Sequence, residues 1–149
     1  LSVYYLPKLS ELKTNFELRN EIFKVYKLIL PFLTIGLLII FFLKKYIILI
    51  LFTEDFLSMT SLFFYQLFGD FFKIASWILA FNMIAKSMTK TFILTEISIN
   101  ILYVFLSIMF INYKGIIGIT QAYLITYIVY FIIMLIVFRK LVFKPKLFN

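Results

Sequence analysis

Four stretches of this chain are too long and too apolar for any fold built in water. They cover residues 28–43 (LILPFLTIGLLIIFFL), 60–85, 91–111 and 116–138. A helix needs about 20 mainly apolar residues, at about 1.5 Å rise each, to cross about 30 Å of hydrocarbon; the first stretch reaches that length with its amphipathic lead-in. Within lipid a backbone amide has no water to bond, so each stretch predicts a helix that satisfies its own backbone. A soluble core is the competing explanation, and composition removes it. The 149 residues are 64% hydrophobic and only 15% charged, and a soluble domain of this size has too little interior to hide them. The expected fold class is all-α integral membrane.

The segments between the spans carry the charges. Residues 44–59 (KKYIILILFTEDFLSM) are too short to cross and read as an external interfacial segment with Lys44, Lys45, Glu54 and Asp55 in water. The competing reading extends the first span, because YIILILF is itself apolar. Residues 8–27 repeat Leu9, Leu12, Phe16, Phe23 and Tyr26 at intervals of three, four or seven, which predicts an amphipathic cytoplasmic connector lying on a surface. Pro7 is expected to end whatever residues 1–7 belong to. Thr14 and Glu17 have the spacing of a capping box, restarting a helix after a turn at Lys13 to Asn15. The opening LSVYYLPKLSEL shows neither a charged leader nor a small-residue cleavage site, and is expected to be an internal start.

Orientation follows from the fifteen Lys and Arg residues, because positive charge stays on the cytoplasmic side. Eleven flank one side: Lys8, Lys13, Arg19, Lys24, Lys27, Lys86, Lys90, Arg139, Lys140, Lys144 and Lys146. Three flank the other, Lys44, Lys45 and Lys114, and Lys73 lies within a span. Both ends are therefore expected in the cytoplasm, with residues 139–149 a cytoplasmic tail and the loop at Asn112 to Gly115 outside. The net charge of +8 is what topology and anionic inner-leaflet lipid require, with no nucleic-acid partner.

The second span holds an aspartate and a lysine three residues apart, Asp70 and Lys73. They lie roughly 14 and 18 Å from its outer end, near the midplane. Three residues on a helix separates them by about 60°, so they leave the helix on one side. A charge at this depth costs about 3 kcal/mol or more, which turns both toward the bundle interior. Two roles stay open: an intrahelical ion pair that fixes packing, or a cavity pair that binds or couples. Gln66 extends the same stripe. Glu96 lies a few residues inside the third span, with Asn100 one turn on. Gln66, Asn82, Asn100, Thr120 and Gln121 are uncharged hydrogen-bonding groups whose default role is to join helices. Gly118 and Ala122 form a small-xxx-small pair for close helix packing. Tyr103, Tyr113, Tyr123, Tyr127 and Tyr130 read as interface belts and packing. Cys and His are both absent, which excludes disulfides, thiolate chemistry, the usual zinc ligands and a histidine base. Neither a catalytic residue, a metal ligand nor a cofactor is expected.

The order SVYYLPKLSEL, LILPF, FFYQLFGDFFKIASW, MIAKSMTKTFILTEIS and GIIGITQAYLITYIVYF resembles the carboxy-terminal third of the Wzx-type polysaccharide flippases. These serve O-antigen and enterobacterial common antigen within the multidrug/oligosaccharidyl-lipid/polysaccharide exporter superfamily. The specific pieces are QLxGDxxK (Gln66, Gly69, Asp70, Lys73), Ile84 to Lys86, Glu96, and Gly115 to Phe131. The resemblance implies a twelve-helix transporter of two six-helix lobes in the bacterial inner membrane. By alternating access it would move an undecaprenyl-diphosphate-linked oligosaccharide to the periplasmic leaflet. Residues 1–7 would end span eight and the four stretches would be spans nine to twelve, with the amino-terminal lobe as the missing partner. Asp70, Lys73, Gln66, Glu96 and Asn100 would bind substrate or couple a proton or sodium ion. Lipid-linked oligosaccharide and membrane lipid would be the partners. Many Phe, Ile and Lys residues depart from the family pattern by replacing smaller ones.

Three rivals remain from the sequence. A cation-coupled multidrug antiporter of the same superfamily would use Asp70 or Glu96 for exchange. A membrane glycosyltransferase or polymerase is disfavoured by short outer loops and the lack of paired loop carboxylates. A structural subunit would need Asp70 and Lys73 only for assembly.

Overall fold

The computed structural model describes residues 2–12 and 14–143; Lys13 of the expected turn and Lys144 and Lys146 of the expected tail lie outside them. The described residues form helices α1 (Ser2–Glu11), α2 (Asn15–Leu51), α3 (Leu62–Ala85), α4 (Thr89–Lys114), α5 (Ile116–Val137) and α6 (Arg139–Phe143). A short 3₁₀ helix, Glu54–Ser61, leads into α3. Among the described residues four helical stretches are long and apolar enough to cross a membrane: α2, α3 with its 3₁₀ lead, α4 and α5. The fold is all-α.

Local chemistry explains the helix ends. Thr14 caps α2: its hydroxyl accepts from the Glu17 amide at 3.2 Å, and Glu17 accepts from the Thr14 amide at 3.2 Å. This reciprocal pair satisfies two otherwise orphaned donors. α3 ends where Ser87 turns to φ 57°, which lets the Met88 amide reach back to the Met83 carbonyl at 2.7 Å. Between α4 and α5 stands Gly115 at φ 60°, ψ −145°, a backbone region essentially restricted to glycine.

Three expectations change here. α2 runs unbroken past Leu43 to Leu51, so the segment expected as residues 44–59 divides into the last turns of α2 and the 3₁₀ helix. The cause is local: YIILILF carries the apolar pattern onward without Gly or Pro, and two lysines do not stop a helix. Pro7 lies within α1 and does not end it. The connector is not a separate surface helix. Leu9, Leu18 and Ile22 are buried in one core with Ile78, Leu79 and Met83 of α3, while Phe16 and Phe23 are exposed. The burying stripe is offset from the one read through Phe16 and Phe23. Lys8 ties α1 to α2 through Glu21 at 2.6 Å.

Contacts between helices set the topology. Tyr26 meets Ala75 and Phe41 meets Phe64, so α2 and α3 run antiparallel. Tyr103 meets Tyr123 and Tyr130 meets Glu96, so α4 and α5 form an antiparallel hairpin. Asp70 meets Tyr123 and Lys73 meets Tyr127, which makes α3 and α5 parallel neighbours with α4 as the return. The α3–α5 interface is the most extensive in the bundle. Gly118 and Ala122 are buried, and a Cβ on Gly118 would stand 2.3 Å from the Phe110 carbonyl oxygen, so the hairpin closes on glycine. The apolar core gathers where Ile78 to Met83 meet Ile99, Tyr130 and Met134.

Candidate functional site

Three stripes of the same spacing converge between α3, α4 and α5. On α3 they are Gln66, Asp70, Lys73 and Trp77; on α4 Glu96, Asn100 and Tyr103; on α5 Tyr123, Tyr127 and Tyr130. Steps of four and three residues keep a helix stripe straight, so each presents one continuous face.

The structure separates the two charges of α3. Tyr123 donates its hydroxyl to Asp70 Oδ1 at 2.6 Å. Lys73 turns the other way, its Nζ 5.2 Å from the Trp77 ring, 5.7 Å from Tyr123 and 5.1 Å from Tyr127. Among the described residues the ion pairs within 4.0 Å join Glu21 to Lys8 and Lys24, and none joins Asp70 to Lys73. Each ring face within about 6 Å attracts a cation by roughly 0.5–2 kcal/mol, so three together compete with a carboxylate that already accepts from Tyr123. Gly69 makes the arrangement possible. A Cβ there would stand 2.4 and 2.6 Å from two Tyr123 ring carbons, so only a bare backbone lets the ring lie across α3.

A second acid repeats the motif two tyrosines further along. The Tyr130 hydroxyl donates to Glu96 Oε1, and Tyr130 is fully buried. Seven residues separate Tyr123 from Tyr130, so the two carboxylates attach to α5 about 10 Å apart along its axis. Tyr127 lies between, its ring 4.6 Å from Tyr123 and 6.4 Å from Tyr130. Trp77 and Glu96 line one small cavity of about 210 Å³ with Ala80, Phe81 and Phe92, which joins the α3 and α4 sides of the seam.

The other expected residues have different roles. Asn100 donates to the Glu96 backbone carbonyl at 2.7 Å and shares with Glu96 an open groove along α4. Gln66 is half-buried on the α3 stripe. Asn82 bonds carbonyls of its own helix, Thr120 does the same, and Gln121 accepts from Lys114 across the α4–α5 turn. Apart from Gln121, these amides and hydroxyls do not join helices; the tyrosines do. Asp70, Lys73 and Glu96 converge on α5, and Gln66 and Asn100 flank them.

The tyrosines are what sequence reasoning missed. Tyr123 and Tyr130, read as interface belts and packing, also hold the two acids. The signal was present: Tyr123, Tyr127 and Tyr130 repeat the four-and-three spacing of Gln66, Asp70 and Lys73.

With the seam described, the chain can be set beside known proteins. It is similar to lipid III flippases. Identity is 35% over 130 residues to the Lipid III flippase of Escherichia coli (strain K12), and the same to the Lipid III flippase of Shigella flexneri. The match takes in 87% of this chain and 31% of each relative, so the chain spans about a third of their length. A match of that extent includes the seam. No protein-family model matches the chain, and no solved structure matches it.

Proposed function

We propose that this chain forms part of a flippase that carries an undecaprenyl-diphosphate-linked oligosaccharide from the cytoplasmic to the periplasmic leaflet of a bacterial inner membrane. Its four spans would be spans nine to twelve of a twelve-helix transporter working by alternating access, paired with an amino-terminal lobe. The observation that carries the reading is the extended similarity to lipid III flippases across the whole seam.

The geometry suits that task. Lys73 is held on aromatic faces and not neutralised by Asp70, so its charge stays available to a diphosphate. The hydroxyls and amides of Tyr127, Asn100 and Gln66 are suitable partners for sugar hydroxyls. Asp70 and Glu96, each held by one tyrosine, are candidates for a coupling proton or sodium ion. Movement of the glycan needs no covalent step, so the roles are binding and coupling, not catalysis.

Deletion of the gene is expected to remove a surface glycan and leave its lipid-linked precursor in the cytoplasmic leaflet. The full-length gene should restore it, and Lys73→Met or Asp70→Asn should not. Export of organic cations with surface glycan intact would instead establish a cation-coupled antiporter.

A further inference from the structure

The interface between α2 and α3 is tight at one end and open in the middle. Toward the cytoplasmic end the Tyr26 hydroxyl donates to the Ala75 carbonyl at 2.6 Å, and Leu18 and Ile22 share a core with Ile78 and Leu79. Toward the outer end the Phe41 and Phe64 rings meet edge-to-face at 6.4 Å. Between these pins, past Pro31, the helices leave a crevice of about 340 Å³ walled by Thr34, Leu38 and Phe41 and by Phe64, Phe68 and Phe71. Its one polar wall group, the Thr34 hydroxyl, already bonds the Leu30 carbonyl at 2.7 Å. Such a space offers water nothing to bond and suits hydrocarbon. Phe68 and Leu38 are each 50% exposed, so among the described residues it is open on one side. At 3.6 residues per turn, its α3 wall lies roughly 140° around the helix from the Asp70–Lys73 stripe, so it is a different site from the seam.

A cation sits at the outer rim. Lys44 folds back one turn so that its Nζ lies 4.1 Å above the Phe41 ring, part of the crevice wall. Among the described residues no carboxylate lies within ion-pair distance of it. Glu54 and Asp55 follow the end of α2, which is itself about 10 Å farther along the helix axis. Lys44 and Lys45 are two of only three cations on the outer flank, against the general distribution of positive charge. Positive charge beside an open apolar slot complements a lipid phosphate.

We infer that this crevice holds the isoprenoid chain of a polyprenyl phosphate lipid, with the phosphate against Lys44. The identity of that lipid rests on the flippase reading; the slot and its cation do not. The volume equals that of about eleven waters at about 30 Å³ each, room for a stretch of one hydrocarbon chain. A phospholipid brings two chains side by side, whereas a polyprenyl lipid brings one.

The full-length protein, in nanodiscs of phosphatidylethanolamine, is irradiated with undecaprenyl phosphate carrying a diazirine on its chain, and labelled peptides are mapped by mass spectrometry. Label is expected on residues 34–41 and 64–71. Unlabelled undecaprenyl phosphate should compete it away, and dioleoyl phosphatidylglycerol should not. Lys44→Gln should lower labelling about fivefold. Leu38→Trp, at a half-exposed position, should fill the slot and abolish labelling. Equal competition by phosphatidylglycerol, labelling spread evenly over the lipid face, or labelling unchanged in Leu38→Trp overturns the inference. Flipping assayed separately in vesicles divides the two readings: flipping without crevice labelling overturns this site alone, and crevice labelling without flipping overturns the flippase reading and leaves the site standing.

Discussion

Gly69→Ala adds one methyl group under the Tyr123 ring, and its cost follows from the geometry. The new Cβ would stand 2.4 Å from the nearest ring carbon, where ordinary contact begins near 3.4 Å, so the ring must retreat by about 1 Å. The same ring carries the hydroxyl that lies 2.6 Å from Asp70, and a retreat of that size breaks the bond. Overpacking costs about 1–3 kcal/mol. Losing an interhelical hydrogen bond in a membrane costs about 0.6–1.7 kcal/mol. Against these, alanine is favoured over glycine in a helix by about 1 kcal/mol. The expected net loss is about 2 kcal/mol, measured by detergent-titrated unfolding of the full-length protein in mixed micelles. The decisive arm repeats the substitution in a Tyr123→Ala background. With no ring to strike, only the helix preference remains, so Gly69→Ala should then stabilise by up to about 1 kcal/mol. A loss of equal size in both backgrounds would refute the role given to the Tyr123 ring.

Lys73→Met should keep or raise stability, because a thioether packs well on aromatic faces and a half-buried charge is removed, while glycan flipping falls at least about tenfold. Unchanged flipping would confine Lys73 to packing. Tyr130→Phe should destabilise by about 1–2 kcal/mol by leaving Glu96 without its donor, and the effect should shrink in a Glu96→Ala background. Gly118→Ala should cost about 3 kcal/mol or more, beyond Gly69→Ala, because its new methyl meets the Phe110 backbone and not a ring that can turn; the amount of protein recovered from membranes reports it. For orientation, single cysteines at Ser87 and at Tyr113 should react with a membrane-impermeant maleimide from opposite sides, Tyr113 from outside; labelling of both from one side would contradict the charge-derived topology.

The spans were legible because lipid leaves a polypeptide little choice: LILPFLTIGLLIIFFL in hydrocarbon must close its own hydrogen bonds. Thr14 and Glu17 were legible for a similar reason, since the capping box lies within four consecutive residues. What failed was one local signal and one contact far along the chain. Whether α2 stops at Leu43 depended on the absence of a stop signal, and charge at Lys44 and Lys45 is not one. Which face of residues 8–27 is buried depended on where Ile78, Leu79 and Met83 would lie.

The spacing of Asp70 and Lys73 shows that they leave α3 on the same side; whether they meet is decided by Trp77 one turn on and by the tyrosines of α5. Fifty residues on, α5 brings a donor to the acid and ring faces to the base, and Gly69 admits the ring that serves both. Two charges that the sequence allows to neutralise each other are thereby held apart. An acid with a single uncharged donor and a cation on aromatic faces each keep capacity for another partner, which a closed ion pair would not. The separation therefore favours a binding or coupling role over a packing role, and it resides in the tyrosines more than in the charges that first marked the site.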